Sequence, residues 1–102
     1  MKIYQILGLI KIKLIEFTTT TPGALDLVEE FAAQKDLHIG LGTCLNKEHV
    51  AGGKKAGAQF IISPHTDEVV IRETKKLDLI SIPGVASPTD VGMAIKYGAD
   101  AL

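Results

Sequence analysis

The feature that most constrains this chain is a fourfold alternation of short apolar runs with segments of helical period. Glycine or proline punctuates each junction. The apolar runs are Leu14-Ile15-Glu16-Phe17, Leu37-His38-Ile39-Gly40-Leu41, Gln59-Phe60-Ile61-Ile62-Ser63 and Leu79-Ile80-Ser81-Ile82. Each is too short for a helix and rich in β-branched or aromatic residues, so each reads as a strand. After the first, Pro22 suits an opening helical turn with Thr21 as its cap, and Ala24, Leu25, Leu27, Val28, Phe31 and Ala32 recur at helical spacing up to Gln34. Asn46 is placed to cap a helix running to about Ala56 that Gly57 stops, although Gly52-Gly53 interrupts it. A third helix is expected over about 67–76. Ser87 and Pro88 open a fourth that Gly98 ends. Strand and helix in strict alternation, joined by short loops, predict a parallel sheet of right-handed βαβ units. The near-continuous apolar strands predict a sheet covered on both faces, as in a barrel or a doubly wound fold. Residues 1–10 suit a short helix or a strand equally.

An internal echo reinforces the pattern. Lys55-Ala56-Gly57-Ala58-Gln59-Phe60 aligns with Lys96-Tyr97-Gly98-Ala99-Asp100-Ala101 at an offset of 41, and Gly42-Thr43-Cys44-Leu45-Asn46-Lys47-Glu48 parallels Gly84-Val85-Ala86-Ser87-Pro88-Thr89-Asp90 at an offset of 42. The unit is a strand ending in Gly, a capped helix, and Gly-Ala leading into the next strand. By this echo Asp100-Ala101-Leu102 should begin a fifth strand. A domain ending there would leave its sheet edge open, so the sequence is expected to be part of a longer protein.

Composition narrows the function classes. The 102 residues fit one domain, and an apolar content of 46% suffices for a core. A formal net charge of −1 supplies no field for nucleic acid or an anionic membrane. The apolar run from Ile3 to Ile10 is short and is followed by Lys11 and Lys13. It has no small-residue cleavage site, and nothing approaches the roughly eighteen apolar residues of a membrane span. The single cysteine, Cys44, excludes an internal disulfide and agrees with a reducing, cytoplasmic setting.

One carboxylate stands out. Glu16 lies within the first apolar strand, where an ionised group is costly unless it is paired, solvated or used. Its bland reading is a polar-face residue of an edge strand, bonded to Lys11 or Lys13. The other candidates carry less chemistry. Cys44 and His49 form the only close pair among Cys44, His38, His49 and His65, and their spacing matches no zinc motif, so no metal or other cofactor is expected. Gly40-Leu41-Gly42 lacks the third glycine of a dinucleotide loop, and Ser63 has no nucleophile elbow around it. Cys44 reads as a small core residue, His65 as a loop histidine near the site face, and Thr18–Thr21 as a strand end and helix cap.

Taken together and in order, several segments resemble the 2-keto-3-deoxy-6-phosphogluconate (KDPG) and 4-hydroxy-2-oxoglutarate (KHG) aldolase family. They are Leu14-Ile15-Glu16-Phe17-Thr18 with Thr21-Pro22, Ile39-Gly40-Leu41-Gly42-Thr43-Cys44-Leu45-Asn46, and Gly57-Ala58-Gln59-Phe60-Ile61-Ile62-Ser63-Pro64. Ile82-Pro83-Gly84-Val85-Ala86-Ser87-Pro88-Thr89 and Gly98-Ala99-Asp100-Ala101-Leu102 complete the set, which covers about 14–102. The resemblance implies a class I, Schiff-base lyase with a (β/α)8 barrel, of which this chain would be a parallel (β/α)4 segment, about half a TIM barrel. It implies Glu16 as the general acid/base, Thr43 as the group holding the pyruvate carboxylate, and Pro64 as a wall of the pyruvate pocket. The implied partner is a small pyruvate-type keto acid, and a half barrel is expected to form a homo-oligomer.

Two departures qualify that picture. In the family the Schiff-base lysine opens the strand directly after the Gly-Ala-Asp-Ala-Leu segment, and the phosphate loops belong to the last two strands; neither falls within these residues. Thr20 stands where the family usually has an arginine. Lys11, Lys13, Lys54, Lys55, Lys75, Lys76 and Lys96 fall on helices, loops or a strand start, so this chain alone is expected to be inactive. A non-catalytic half-barrel serving structure or assembly is the second reading, and another phosphate-sugar barrel enzyme a third.

Overall fold

The computed structural model describes residues 1–102 as four parallel strands and five helices. Helix α1 spans Ile3–Leu9, β1 Leu14–Thr18, α2 Ala24–Ala32, β2 His38–Gly42, α3 Lys47–Ala56, β3 Phe60–Ser63, α4 Glu68–Lys76, β4 Ile80–Pro83 and α5 Pro88–Tyr97. The ambiguous N-terminal stretch is thus a helix. Its Tyr4 and Leu7 pack against the core, while Ile3, Leu9 and Ile10 stay exposed. No helix is long and apolar enough to cross a membrane.

Local chemistry sets most boundaries. The side chains of Asn46, Asp67 and Ser87 accept the amides of His49, Val70 and Asp90, each satisfying an N–H that the first helical turn leaves unpaired. Gly57 and Gly98 close their helices in the left-handed region, at φ 104° and 105°. Helix α2 has no side-chain cap. Its cap is Gly23 at φ 72°, and Thr21 and Pro22 belong to the preceding turn, in which the Thr18 carbonyl accepts the Thr21 amide. The left-handed glycine interrupts the helical path that Pro22 alone would permit.

The strand order is β1-β2-β3-β4, every neighbouring pair parallel. A doubly wound sheet would reverse its order and carry helices on both faces; sequential order with helices on one side is an arc of a barrel. The register places Glu16 opposite Gly40, and Gly40 opposite Phe60, which faces Ile80. One face therefore carries Ile39, Leu41, Ile61, Ser63 and Ser81, all buried beneath the helices. Val28 and Phe31 of α2, Val50 of α3 and Val70 of α4 complete that layer. The other face carries Leu14, Glu16, His38, Phe60, Ile62, Ile80 and Ile82.

This second face corrects the expectation of a sheet covered on both sides. Leu14 and Ile80 are 62% and 49% exposed, because no layer of this chain lies over them. Phe60 is buried nonetheless, since its ring lies across Gly40: a Cβ there would run into the ring.

The internal echo is visible in the backbone. Ala58 donates to the Gly53 carbonyl and Ala99 to that of Ala94; Gln59 donates to Ile39 and Asp100 to Ser81. Residues 100–102 are not a strand, but Ser81 already accepts the amides of both Asp100 and Ala101, at 3.0 and 3.2 Å. The Asp100 carboxylate also accepts the Ser81 amide at 2.9 Å and the Lys75 ammonium at 2.6 Å. These bonds hold the Asp100 carboxyl below its ordinary range, the Lys75 contact contributing most.

Candidate active site

The C-terminal ends of parallel strands are where barrels of this kind gather chemistry. Glu16 sits mid-strand in β1, Thr43 directly follows β2, and Pro64 directly follows β3. Glu16 is exposed, which corrects the expectation of a carboxylate within a buried strand, and it forms no ion pair with Lys11 or Lys13. It lines an apolar groove on the uncovered face together with Leu14, Phe60 and Ile62.

Glycine makes the placement of Glu16 possible. A Cβ on Gly42 would collide with Glu16 Oε2 and come within 2.9 Å of Cδ. The carboxylate therefore rests against the backbone of β2, one residue before Thr43. Its charge is felt next door: Cys44 is fully buried, and its thiol is pushed up to about 12, mainly by burial and further by Glu16. Cys44 is thus a protonated core residue, its Sγ directed to the Leu41 carbonyl at 3.4 Å.

Thr43 has an unusual backbone. Its φ is 57°, in the left-handed region, where a β-branched side chain is strained by roughly 1–3 kcal/mol. Thr19 binds across to it, the Thr19 hydroxyl donating to the Thr43 carbonyl at 2.8 Å and the Thr19 amide to the Gly42 carbonyl at 3.0 Å. The remaining threonines of the run bond among themselves, Thr18 Oγ1 lying 2.9 Å from Thr20 Oγ1 and 3.2 Å from Thr21 Oγ1. In sequence this run reads as a strand end and helix cap. The cross-strand role of Thr19 has no local signature, and neither has the fit of Gly42 under Glu16.

Pro64 is exposed and joined to the neighbouring strand end. The Gly84 amide donates to the Ser63 carbonyl at 2.8 Å, Thr66 Oγ1 donates to the Gly84 carbonyl at 2.9 Å, and a Cβ on Gly84 would clash with the Pro64 carbonyl. The histidines are dispersed. His38 Nδ1 meets Gln59 Oε1 at 2.7 Å, His49 Nδ1 accepts the Leu45 amide at 3.1 Å, and His65 lies 3.7 Å from Asp67. The roomiest cleft, about 430 Å³, lies on the helix side beside Thr19, Asp26, Glu48 and His49, and includes none of Glu16, Thr43 and Pro64.

A sequential parallel arc with polar groups at its C-terminal strand ends defines part of a (β/α)-barrel protein. The comparisons with known proteins agree. A family model for KDPG and KHG aldolase matches residues 3–102, so the likeness extends beyond 14–102 into α1. The KHG/KDPG aldolase of Escherichia coli (strain K12) is 30% identical over 88 residues, covering 85% of this chain and 41% of that protein. The 2-dehydro-3-deoxy-phosphogluconate aldolase of Pseudoalteromonas atlantica is 33% identical over 88 residues, with the same shares. The crystal structure of KDPG aldolase from Legionella pneumophila, with pyruvate captured at low pH as a covalent carbinolamine intermediate, superposes with a TM-score of 0.86 at 28% identity. That match covers 95% of this chain and 48% of that one. The chain belongs to the KDPG/KHG aldolase family. It spans about 41% of the length of the curated relatives it matches.

Proposed function

We propose that the chain supplies the acid/base and pyruvate-pocket portion of a class I aldolase. The reaction would cleave 2-keto-3-deoxy-6-phosphogluconate or 4-hydroxy-2-oxoglutarate to pyruvate and an aldehyde. The observation that carries this reading is the contact of Glu16, in the middle of β1, with Gly42 at the end of β2, which brings a carboxylate to the residue before Thr43. In that arrangement Glu16 moves protons at the carbinolamine and enamine stages, being a group that can accept and return a proton without leaving the strand. The Thr43 hydroxyl donates to the pyruvate carboxylate, and Pro64 closes one wall. Homo-oligomeric assembly and a reducing, cytoplasmic setting belong to the same reading, supported by the uncovered apolar face and the lone buried cysteine.

Schiff-base chemistry needs an amine of lowered pKa against the substrate carbonyl. None of the lysines lies in a strand, and Lys75 is committed to Asp100 and the Leu79 carbonyl. The 102 residues on their own are therefore proposed to be inactive. The same observation favours the second reading, a non-catalytic half-barrel serving assembly.

Borohydride trapping with pyruvate, followed by intact mass, separates these ideas when combined with a pyruvate titration by NMR. The expected result is no added mass, with pyruvate-dependent shifts at the Gly42 and Thr43 amides. A reduced adduct would place a working amine within the chain. An unperturbed spectrum would remove the pyruvate site and leave the assembly reading.

A further inference from the structure

We propose that Thr19 is a positioning residue for Thr43: its hydroxyl straps the Thr43 carbonyl and holds that residue in the left-handed conformation used to meet a ligand carboxylate. The ligand part of this inference rests on the pyruvate-pocket reading; the conformational part does not.

Nothing in Thr43 itself favours a φ of 57°. It is not glycine, asparagine or aspartate, and its branched Cβ opposes the conformation. Such strain persists only where the surroundings over-determine it. The peptides on either side are anchored, the Gly42 carbonyl by the Thr19 amide and the Cys44 amide by the Ile62 carbonyl at 3.1 Å. These are backbone bonds that almost any residues could form. The Thr43 carbonyl is held differently, by a partly buried side-chain hydroxyl 24 residues away in the chain. Among four consecutive threonines only Thr19 makes this reach; the hydroxyls of Thr20 and Thr21 both lie within hydrogen-bond distance of Thr18 Oγ1 instead. The Thr43 hydroxyl, by contrast, has no protein partner and is available to a carboxylate oxygen.

Removing the donor while keeping the shape isolates the strap. Thr19→Val is nearly isosteric, and Thr19→Ser restores the hydroxyl. Isotope-labelled wild type, T19V and T19S would be compared for pyruvate affinity by NMR titration and for the Cα and Cβ shifts of Thr43. In T19V the pyruvate Kd is expected to rise about tenfold and the Thr43 carbon shifts to leave left-handed values; T19S is expected to stay within about twofold of wild type on both readouts. A merely structural role would lower thermal stability without this hydroxyl-specific change in affinity. A T19V protein with wild-type Kd would overturn the positioning role. Should pyruvate not bind wild type at all, the pocket reading fails by itself. The strap then stands or falls on whether the Thr43 carbon shifts move in T19V. If T19V does not fold, T19A provides the same deletion with less bulk.

Discussion

The carboxylate of Glu16 occupies the space that a Cβ on Gly42 would need: Glu16 fits against β2 only because position 42 carries no Cβ. The same face shows a second contact of this type two residues earlier, where the Phe60 ring lies across Gly40. The two glycines look alike in sequence yet have different mechanical consequences. Glu16 is exposed and its carboxylate can turn into solvent, whereas the Phe60 ring is 5% exposed and would lose its apolar cover by moving off Gly40.

Alanine at each glycine should separate the two effects. Gly40→Ala forces the Phe60 ring out of a packed position and is expected to cost about 1–3 kcal/mol, the usual range for overpacking. Gly42→Ala is expected to change stability far less, because Glu16 can swing toward solvent, but to displace the carboxylate. Urea unfolding of both variants, with the side-chain carboxyl resonance of Glu16 as the positional readout, checks the contrast. Equal losses of stability would contradict it.

Cys44 provides a pH test. Its thiol is pushed up to about 12, from an ordinary value of 9.0, by burial first and by the charge of Glu16 second. The folded protein thus holds the proton more tightly than the unfolded chain. The associated stability is fully present below about pH 9 and is lost as pH rises toward 12. Native protein should react very slowly with iodoacetamide at pH 8, and unfolded protein quickly. Glu16→Gln should raise the native rate only slightly, since burial dominates. A large acceleration in E16Q would reverse that ranking.

Asp100 titrates in the opposite sense. Its carboxyl is held low, first by Lys75 and then by the Ser81 amide. Its stabilisation is present above the ordinary carboxylate pKa and is lost as pH falls through the lowered folded value. The side chain is 40% exposed, so solvent screening keeps the effect small. Asp100→Asn is expected to cost less than about 1 kcal/mol. Its clearest sign should be faster hydrogen exchange at the Ser81 amide; unchanged exchange would show that the carboxylate does not hold the β4 edge.

The aromatic cluster predicts a larger loss. Phe31 meets Phe17 edge-on with ring centroids 4.9 Å apart and Tyr4 at 5.5 Å, joining α1, β1 and α2. Phe31→Ala is expected to cost about 3–5 kcal/mol, a large share of the stability of a small domain. Thermal unfolding would measure it. Tyr4→Ala should cost less, because Tyr4 is only partly buried.

The sequence alone determined what depends on neighbours along the chain. Asn46, Asp67 and Ser87 cap helices within three residues, Gly57 and Gly98 stop them, and the apolar runs become parallel strands. The echo between the two units reappears as matched backbone bonds, because equal spacing sends equal amides to equal carbonyls. Pro22 misled on the start of α2, since a single left-handed glycine after it outweighs its own preference. Only the tertiary structure decided the rest. Which sheet face is covered, why Glu16 needs Gly42, and how Thr19 reaches Thr43 depend on register between strands distant in sequence. A register shift of one residue would turn each of those side chains to the other face, and no local propensity encodes that choice.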